Sequence, residues 1–181
     1  MSTRAGILFD VDGTLVDTNY LHALAWSRAL VDAGEWAPMN AIHRLVGMGG
    51  DLLVERLIGH PSEDASKARS SRYQELIGEA RVFPGAGELL DVGDAIDATT
   101  SADDIGEAKP SPEVFEVAMK EGGIDPELCL AVGDSVWDVQ AARAAGIGCV
   151  AVESGGFSAH ELREEGAVAV YRDAEELLAQ F

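Results

Sequence analysis

Two apolar runs, each ending in a group of aspartates, set the strongest limit on how this chain folds. Gly6-Ile7-Leu8-Phe9 reads as a short buried strand, and Asp10-Val11-Asp12-Gly13-Thr14 follows it with a turn at Gly13. Strand alternation points Asp10 and Asp12 the same way, two residues apart. Like charges that close repel unless a cation or a shared proton lies between them. A second apolar run, Leu128-Cys129-Leu130-Ala131-Val132, leads into Gly133-Asp134-Ser135-Val136-Trp137-Asp138. In an open α/β sheet such strand ends converge on one crevice. A crevice lined by carboxylates suits a hard divalent cation, Mg²⁺ before others.

The elements between and around these runs follow from local signals. Asp17-Thr18 is an N-cap signal for a helix through about Ala33, with Gly34 as its stop and Leu21, Leu24, Ala25 and Val31 as its apolar stripe. Further helices are predicted at Met39–Val46, Asp51–Ile58 and Ser62–Glu79, and Asp17–Ala80 shows no convincing strand. From Arg81 the pattern turns α/β. Phe83-Pro84-Gly85 is a turn, Ala86–Asp91 a short helix and Ala95–Thr99 a strand. Ser111-Pro112-Glu113 reads as N-cap, proline at the first helical position and an acidic first turn. Strand Leu128–Val132, helix Trp137–Ala145 and strand Ile147–Val152 complete a parallel sheet. The fold expected is a Rossmann-like α/β core, residues 1–16 and 81–181, with an inserted all-helical cap, residues 17–80.

With these motifs in order, the chain resembles the haloacid dehalogenase-like hydrolases, in the branch that carries a small helical cap. Asp10, Asp12, Gly13 and Thr14 match the family's first motif, Lys109-Pro110-Ser111-Pro112 its lysine motif, and Gly133-Asp134-Ser135 with Asp138 its acidic motif. The match runs from Ile7 to Val152. The resemblance implies that Asp10 is the nucleophile, attacking phosphorus to form an aspartyl-phosphate. Asp12 would protonate the leaving oxygen and then activate water. Mg²⁺ would be held by Asp10, the backbone carbonyl of Asp12 and Asp134, with Asp138 holding a metal-bound water. Lys109 would neutralise the phosphoryl group, and the Gly13 and Thr14 amides could meet its oxygens. Turn and N-cap duty is the plain alternative for these aspartates.

Other residues divide less cleanly. His22 either faces the crevice, as a histidine does at this place in similar phosphatases and sugar-phosphate mutases, or is a partly exposed helix histidine. Arg44, ahead of Gly47-Met48-Gly49-Gly50, suits a carboxylate or phosphate on a substrate. Met48 and Trp26 read as packing residues, and Cys129 and Cys149 as small buried hydrophobes. One region is too short. Only Val92, Gly93 and Asp94 separate the Ala86–Asp91 helix from the next strand, whereas a parallel crossover needs about 10–12 residues. The family places a βα unit with a phosphate-gripping Ser or Thr here, on the order of 30 residues. That unit is either deleted or omitted from the sequence. Thr99, Thr100 and Ser101 could replace its hydroxyl but read better as loop residues, as do Asp103 and Asp104.

The net charge of −19 disfavours nucleic acid and anionic membranes as partners. No signal peptide or membrane-spanning stretch is evident, and a cytoplasmic location is expected. The activity expected is Mg²⁺-dependent hydrolysis of a small soluble phosphate monoester. The alternatives are a β-phosphoglucomutase-like phosphomutase and a catalytically impaired binding protein. The oligomeric state is left open.

Overall fold

The computed structural model describes residues 4–91 and 107–181. The expected strand Ala95–Thr99, the hydroxyls of Thr99, Thr100 and Ser101, the carboxylates of Asp103 and Asp104 and the short junction at Val92-Gly93 all lie outside the described residues. The chain divides into two compact units, Met1–Val16 with Val82–Phe181, and Asp17–Arg81.

Among the described residues, the first unit is built on a parallel four-stranded sheet in the order β1-β4-β5-β6, comprising β1 (Arg4–Phe9), β4 (Ile124–Gly133), β5 (Gly148–Val152) and β6 (Ala169–Tyr171). Helices α7 (Val136–Ala144) and α8 (Ala159–Glu165) join β4 to β5 and β5 to β6. Parallel neighbours require crossovers of that kind. β1 pairs with β4 so that Phe9 stands opposite Val132. The two aspartate groups therefore leave adjacent strands at the same end of the sheet.

Alternation along β4 sorts its side chains between the two faces. Cys129 and Ala131 enter a core with Phe115 and Met119 of α6 (Glu113–Gly122), Val139 and Ala142 of α7, and Leu162 of α8. Val132 enters a second core with Val152, Leu15, Leu89 of α5 (Ala86–Asp91) and Leu177 of α9 (Ala174–Leu178). Among the described residues, that second core covers the end of its face nearest the aspartates. Ile7 and its partner across the ladder, Leu130, are each 42% exposed, and Leu128 is 50% exposed.

The second unit holds α1 (Asn19–Asp32), α2 (Met39–His43), α3 (Gly50–Ile58) and α4 (Glu63–Gln74), followed by a 3₁₀ turn at Ile77–Glu79. Short strands β2 (Val16–Asp17) and β3 (Arg81–Val82) pair with each other. The helical core is formed by Ala23, Trp26 and Leu30 of α1, Ile42 of α2, Leu53 and Val54 of α3, Ala65 of α4, and Val46. Met48 is buried as well, so it and Trp26 are packing residues. Among the described residues no helix is long and apolar enough to cross a membrane.

Several local expectations are corrected. The buried face of α1 runs through His22, Ala23, Ala25, Trp26, Ala29 and Leu30, so of the expected stripe Ala25 is buried while Val31 is 61% exposed. Its small alanines admit close approach of α4, and that packing outweighs the simple apolar count. Thr18 occupies the N-cap of α1 without capping through its side chain. α2 stops at His43, and α4 ends at Gln74 before the separate 3₁₀ turn. α6 begins at Glu113 with Pro112 in the N-cap position, one residue later than the Ser111 signal suggests. Ser111 Oγ still accepts from the Glu113 amide at 3.4 Å.

Candidate active site

The register of β1 on β4 fixes where the first aspartate emerges. The Asp10 amide donates to the Val132 carbonyl at 2.9 Å, extending the ladder one residue past β1. The chain then reverses at Gly13, whose φ of +83° places it in the left-handed region that glycine occupies at little cost. The Gly13 amide donates to the Val16 carbonyl at 2.7 Å and the Thr14 amide to the Val11 carbonyl at 3.3 Å. These two amides close the turn, which corrects the expectation that they meet a phosphate. Thr14 works through its side chain instead. Its hydroxyl donates to Asp134 Oδ1 at 3.1 Å, with Asp10 Oδ2 more distant at 3.5 Å.

On β4's side, Ser135 and Asp138 form a capping box at the start of α7. The Ser135 amide and hydroxyl donate to Asp138 Oδ2 at 3.1 and 2.5 Å, and the Asp138 amide donates to Ser135 Oγ at 3.3 Å. The box leaves Asp138 Oδ1 turned toward Lys109 Nζ, at 2.6 Å. Lys109 Nζ also donates to Asp10 Oδ1 at 2.5 Å. One ammonium thus joins the carboxylates that follow the two strands.

Carboxylate oxygens of Asp10, Asp134 and Asp138 lie within 4.8 Å of one another, and the last two residues are buried. Burial pushes the Asp10 carboxyl up to about 6, against the lowering pull of Lys109 and with Asp138 and Asp12 adding to the rise. For Lys109, burial works to remove the proton, but the Asp10 and Asp138 charges overcome it and hold the ammonium well above its ordinary range. Of the three carboxylates, Asp10 and Asp138 meet the Lys109 ammonium and Asp134 meets the Thr14 hydroxyl. All three are hard oxygen donors, so the cluster fits a divalent cation such as Mg²⁺. Asp12 is exposed and its carboxylate is not one of the three, though its charge reaches Asp10.

The structure thus brings together Asp10, Thr14, Lys109, Asp134 and Asp138, with Ser135 as the support of Asp138. His22 and Arg44 belong to the helical unit and are placed by it. His22 is buried, and Arg69 Nη2 donates to its Nδ1 at 2.6 Å. Because arginine offers only donors, Nδ1 accepts and the ring proton sits on Nε2. The imidazole stacks on Tyr73 at 4.2 Å and 7°, and the Arg69 guanidinium lies 5.0 Å from the Tyr73 ring centre and 5.9 Å from that of Trp26. His22 is therefore not a partly exposed helix histidine. Arg44 is the C-cap of α2. Burial first, then the Arg44 charge, lowers the neighbouring His43 imidazole below its ordinary range. Arg69 and Tyr73 escape sequence reading because α4 has no apolar stripe. Their spacing of four residues on one helix face is the only available signal.

A parallel sheet flanked by helices, with an acidic, lysine-bridged centre at its strand ends, makes this an α/β protein with a candidate site at the place where such sheets bind ligands. The chain belongs to the haloacid dehalogenase-like hydrolases, whose family model matches residues 84–146. Phosphoglycolate phosphatase of Pseudomonas putida is 29% identical, over 95% of this chain and 78% of that one. That alignment runs over 211 positions, more than the 181 residues of this chain, so the relative has residues with no counterpart here. Among solved structures, a hydrolase from Pseudomonas syringae superposes with a TM-score of 0.87 at 30% identity, covering 98% of this chain and 97% of that one. CbbY from Rhodobacter sphaeroides, solved in complex with xylulose-1,5-bisphosphate, gives a TM-score of 0.75 at 26% identity, with 94% and 95% covered.

Proposed function

We propose that this protein is a phosphoric monoester hydrolase that cleaves a small phosphorylated metabolite through an aspartyl-phosphate on Asp10. The observation that carries this reading is the Asp10 carboxylate, held by Lys109 at 2.5 Å and gathered with Asp134 and Asp138 at the strand ends. Relatives named for phosphoglycolate and for fructose 1-phosphate support the substrate class.

Asp10 attacks phosphorus through a carboxylate oxygen, and the bond from phosphorus to the ester oxygen breaks. Asp12, exposed beside it, gives its proton to the departing alcohol oxygen. Water then attacks the phosphoryl group, with Asp12 taking a proton from it, and phosphate leaves as Asp10 is restored. Lys109 offsets charge on both the nucleophile and the phosphoryl oxygens, in a partly enclosed place where such an interaction is stronger than in water. Asp10, Asp134 and the Asp12 carbonyl would hold Mg²⁺, with Asp138 positioned behind them. Bound there, the cation would supply charge stabilisation for the phosphoryl group.

A second reading, a protein that keeps the acidic centre but turns over poorly, is favoured by the residues that relatives have and this chain lacks. Turnover of p-nitrophenyl phosphate decides between the two. The phosphatase reading expects Mg²⁺-dependent release of phosphate that Asp10→Asn abolishes with the fold intact. Inhibition by beryllofluoride is expected too. Hydrolysis at wild-type rate in Asp10→Asn, or undiminished in excess EDTA, overturns it. A requirement for a sugar bisphosphate activator would indicate the phosphomutase.

A further inference from the structure

The short 3₁₀ turn at Glu153–Gly155 follows β5, the strand on the far side of β4 from β1, yet it touches both aspartate loops. Each of its residues has a separate tie. Glu153 Oε1 accepts from the Ala159 amide at 2.7 Å, which anchors the turn to the start of α8. Ser154 Oγ donates to the Gly13 carbonyl at 2.6 Å, across 141 residues of sequence. Gly155 lies against Asp134 so closely that a Cβ built there would fall 1.8 Å from Asp134 Oδ2 and 2.6 Å from its carbonyl oxygen. The turn therefore braces the loop after β1 with one residue and walls the Asp134 carboxylate with the next.

We infer that Ser154 is a positioning residue for the reaction, acting through Gly13 on Asp12 and Thr14. This inference rests on the phosphatase reading. Gly13 sits between the proposed acid–base, Asp12, and the threonine whose hydroxyl joins Asp134. Its amide is fixed inside its own loop by the Val16 carbonyl. Its carbonyl is fixed from outside by Ser154, the side-chain tie that this peptide has to another strand's loop. Without that tie the turn remains closed but is free to tilt, which moves the Asp12 carboxylate relative to Asp10. Sites of this kind lose rate when a group drifts by about 1 Å. Ser154 touches no reacting atom, so its loss affects the step that needs Asp12 more than substrate capture.

The test compares Ser154→Ala, Ser154→Thr and Ser154→Val in the full chain on two substrates. One is p-nitrophenyl phosphate, whose leaving group departs with little protonation. The other is a simple alkyl phosphate, whose leaving oxygen needs the proton from Asp12. Ser154→Ala is expected to lower kcat/KM, which reports the transfer of the phosphoryl group to Asp10 and not the later hydrolysis common to both esters, about tenfold on the alkyl ester and by less than about threefold on the aryl ester. Ser154→Thr keeps the hydroxyl and is expected to restore the alkyl-ester rate, whereas the isosteric Ser154→Val is not. Equal losses on the two esters, no loss on either, or failure of threonine to rescue what valine does not, overturns the inference. A uniform fall that follows lowered thermal stability means that the hydroxyl only holds the fold. A wild type that turns over neither ester removes the phosphatase reading and this inference with it. Wild-type turnover with unaltered variants removes the inference alone.

Discussion

Replacing Lys109 with methionine removes the one ammonium that bridges the acidic centre while keeping a side chain of similar length. The structure sets the size of the effect. Lys109 is 2.5 Å from Asp10 and 2.6 Å from Asp138, and its side chain is 13% exposed. Breaking a buried ion pair by deleting one partner costs about 3–5 kcal/mol, because the other charge is left buried. Two features place the cost near the lower bound. Asp138 keeps its two donors from Ser135. Asp10, already pushed up to about 6 by burial against the pull of Lys109, rises further once that pull is gone and takes up a proton more readily. A cost of about 3 kcal/mol corresponds to a fall in Tm of roughly 6–12 °C for a protein of this size. Thermal melts in EDTA at neutral pH measure it, and excess Mg²⁺ is expected to recover part of the loss by supplying the missing charge. The double variant Lys109→Met/Asp138→Asn should melt above the single variant, since the buried charge is removed along with its partner. A single variant within about 1 °C of wild type in EDTA would refute the view that Lys109 is the bridge that neutralises this centre.

Three further outcomes follow from the same structure. Mg²⁺ binding, followed by calorimetry, should weaken as pH falls through about 6, because burial raises Asp10 to that value and the protonated carboxyl is no ligand; affinity unchanged from pH 7.5 to pH 5 would contradict it. Ile42→Ala should destabilise the helical unit by about 2–5 kcal/mol in urea denaturation, since Ile42 is fully buried among Trp26, Leu53 and Val54, and a cost below 1 kcal/mol would show that this core is not closed around it. Burial raises the Cys129 and Cys149 thiols above their ordinary range, so a disulfide reagent should modify neither in the native protein and both after unfolding; rapid labelling before unfolding would refute their place in the core.

The sequence by itself determined the parallel sheet and that aspartates follow its strands at one end. Apolar runs ending in aspartate groups can be read directly, because a strand, its turn and the residues that follow are local in the chain. Cap signals are less legible: Thr18 does not cap α1 through its side chain and Pro112 takes the N-cap place expected of Ser111, while the serines that do cap by side chain, Ser62 before α4 and Ser135 before α7, are not among the expected caps. The sequence could not show which face of a helix is buried when small or polar residues carry the packing. α1 turns Ala23 and Ala29 inward and Val31 outward, and α4 meets it through Arg69 and Tyr73.

Only the tertiary structure decided how the centre is held together. That Asp138 meets Lys109, that the Thr14 hydroxyl meets Asp134, and that Ser154 reaches Gly13 are all matters of distances between residues remote in sequence. The physical reason is that a motif specifies which groups are present, while the ladder register of β1 on β4 specifies where they meet. One residue of slip would turn Asp10 to the other side of the sheet. Register is fixed by which side chains the packed helices bury, Cys129 and Ala131 against α6, α7 and α8, and that is a property of the whole unit.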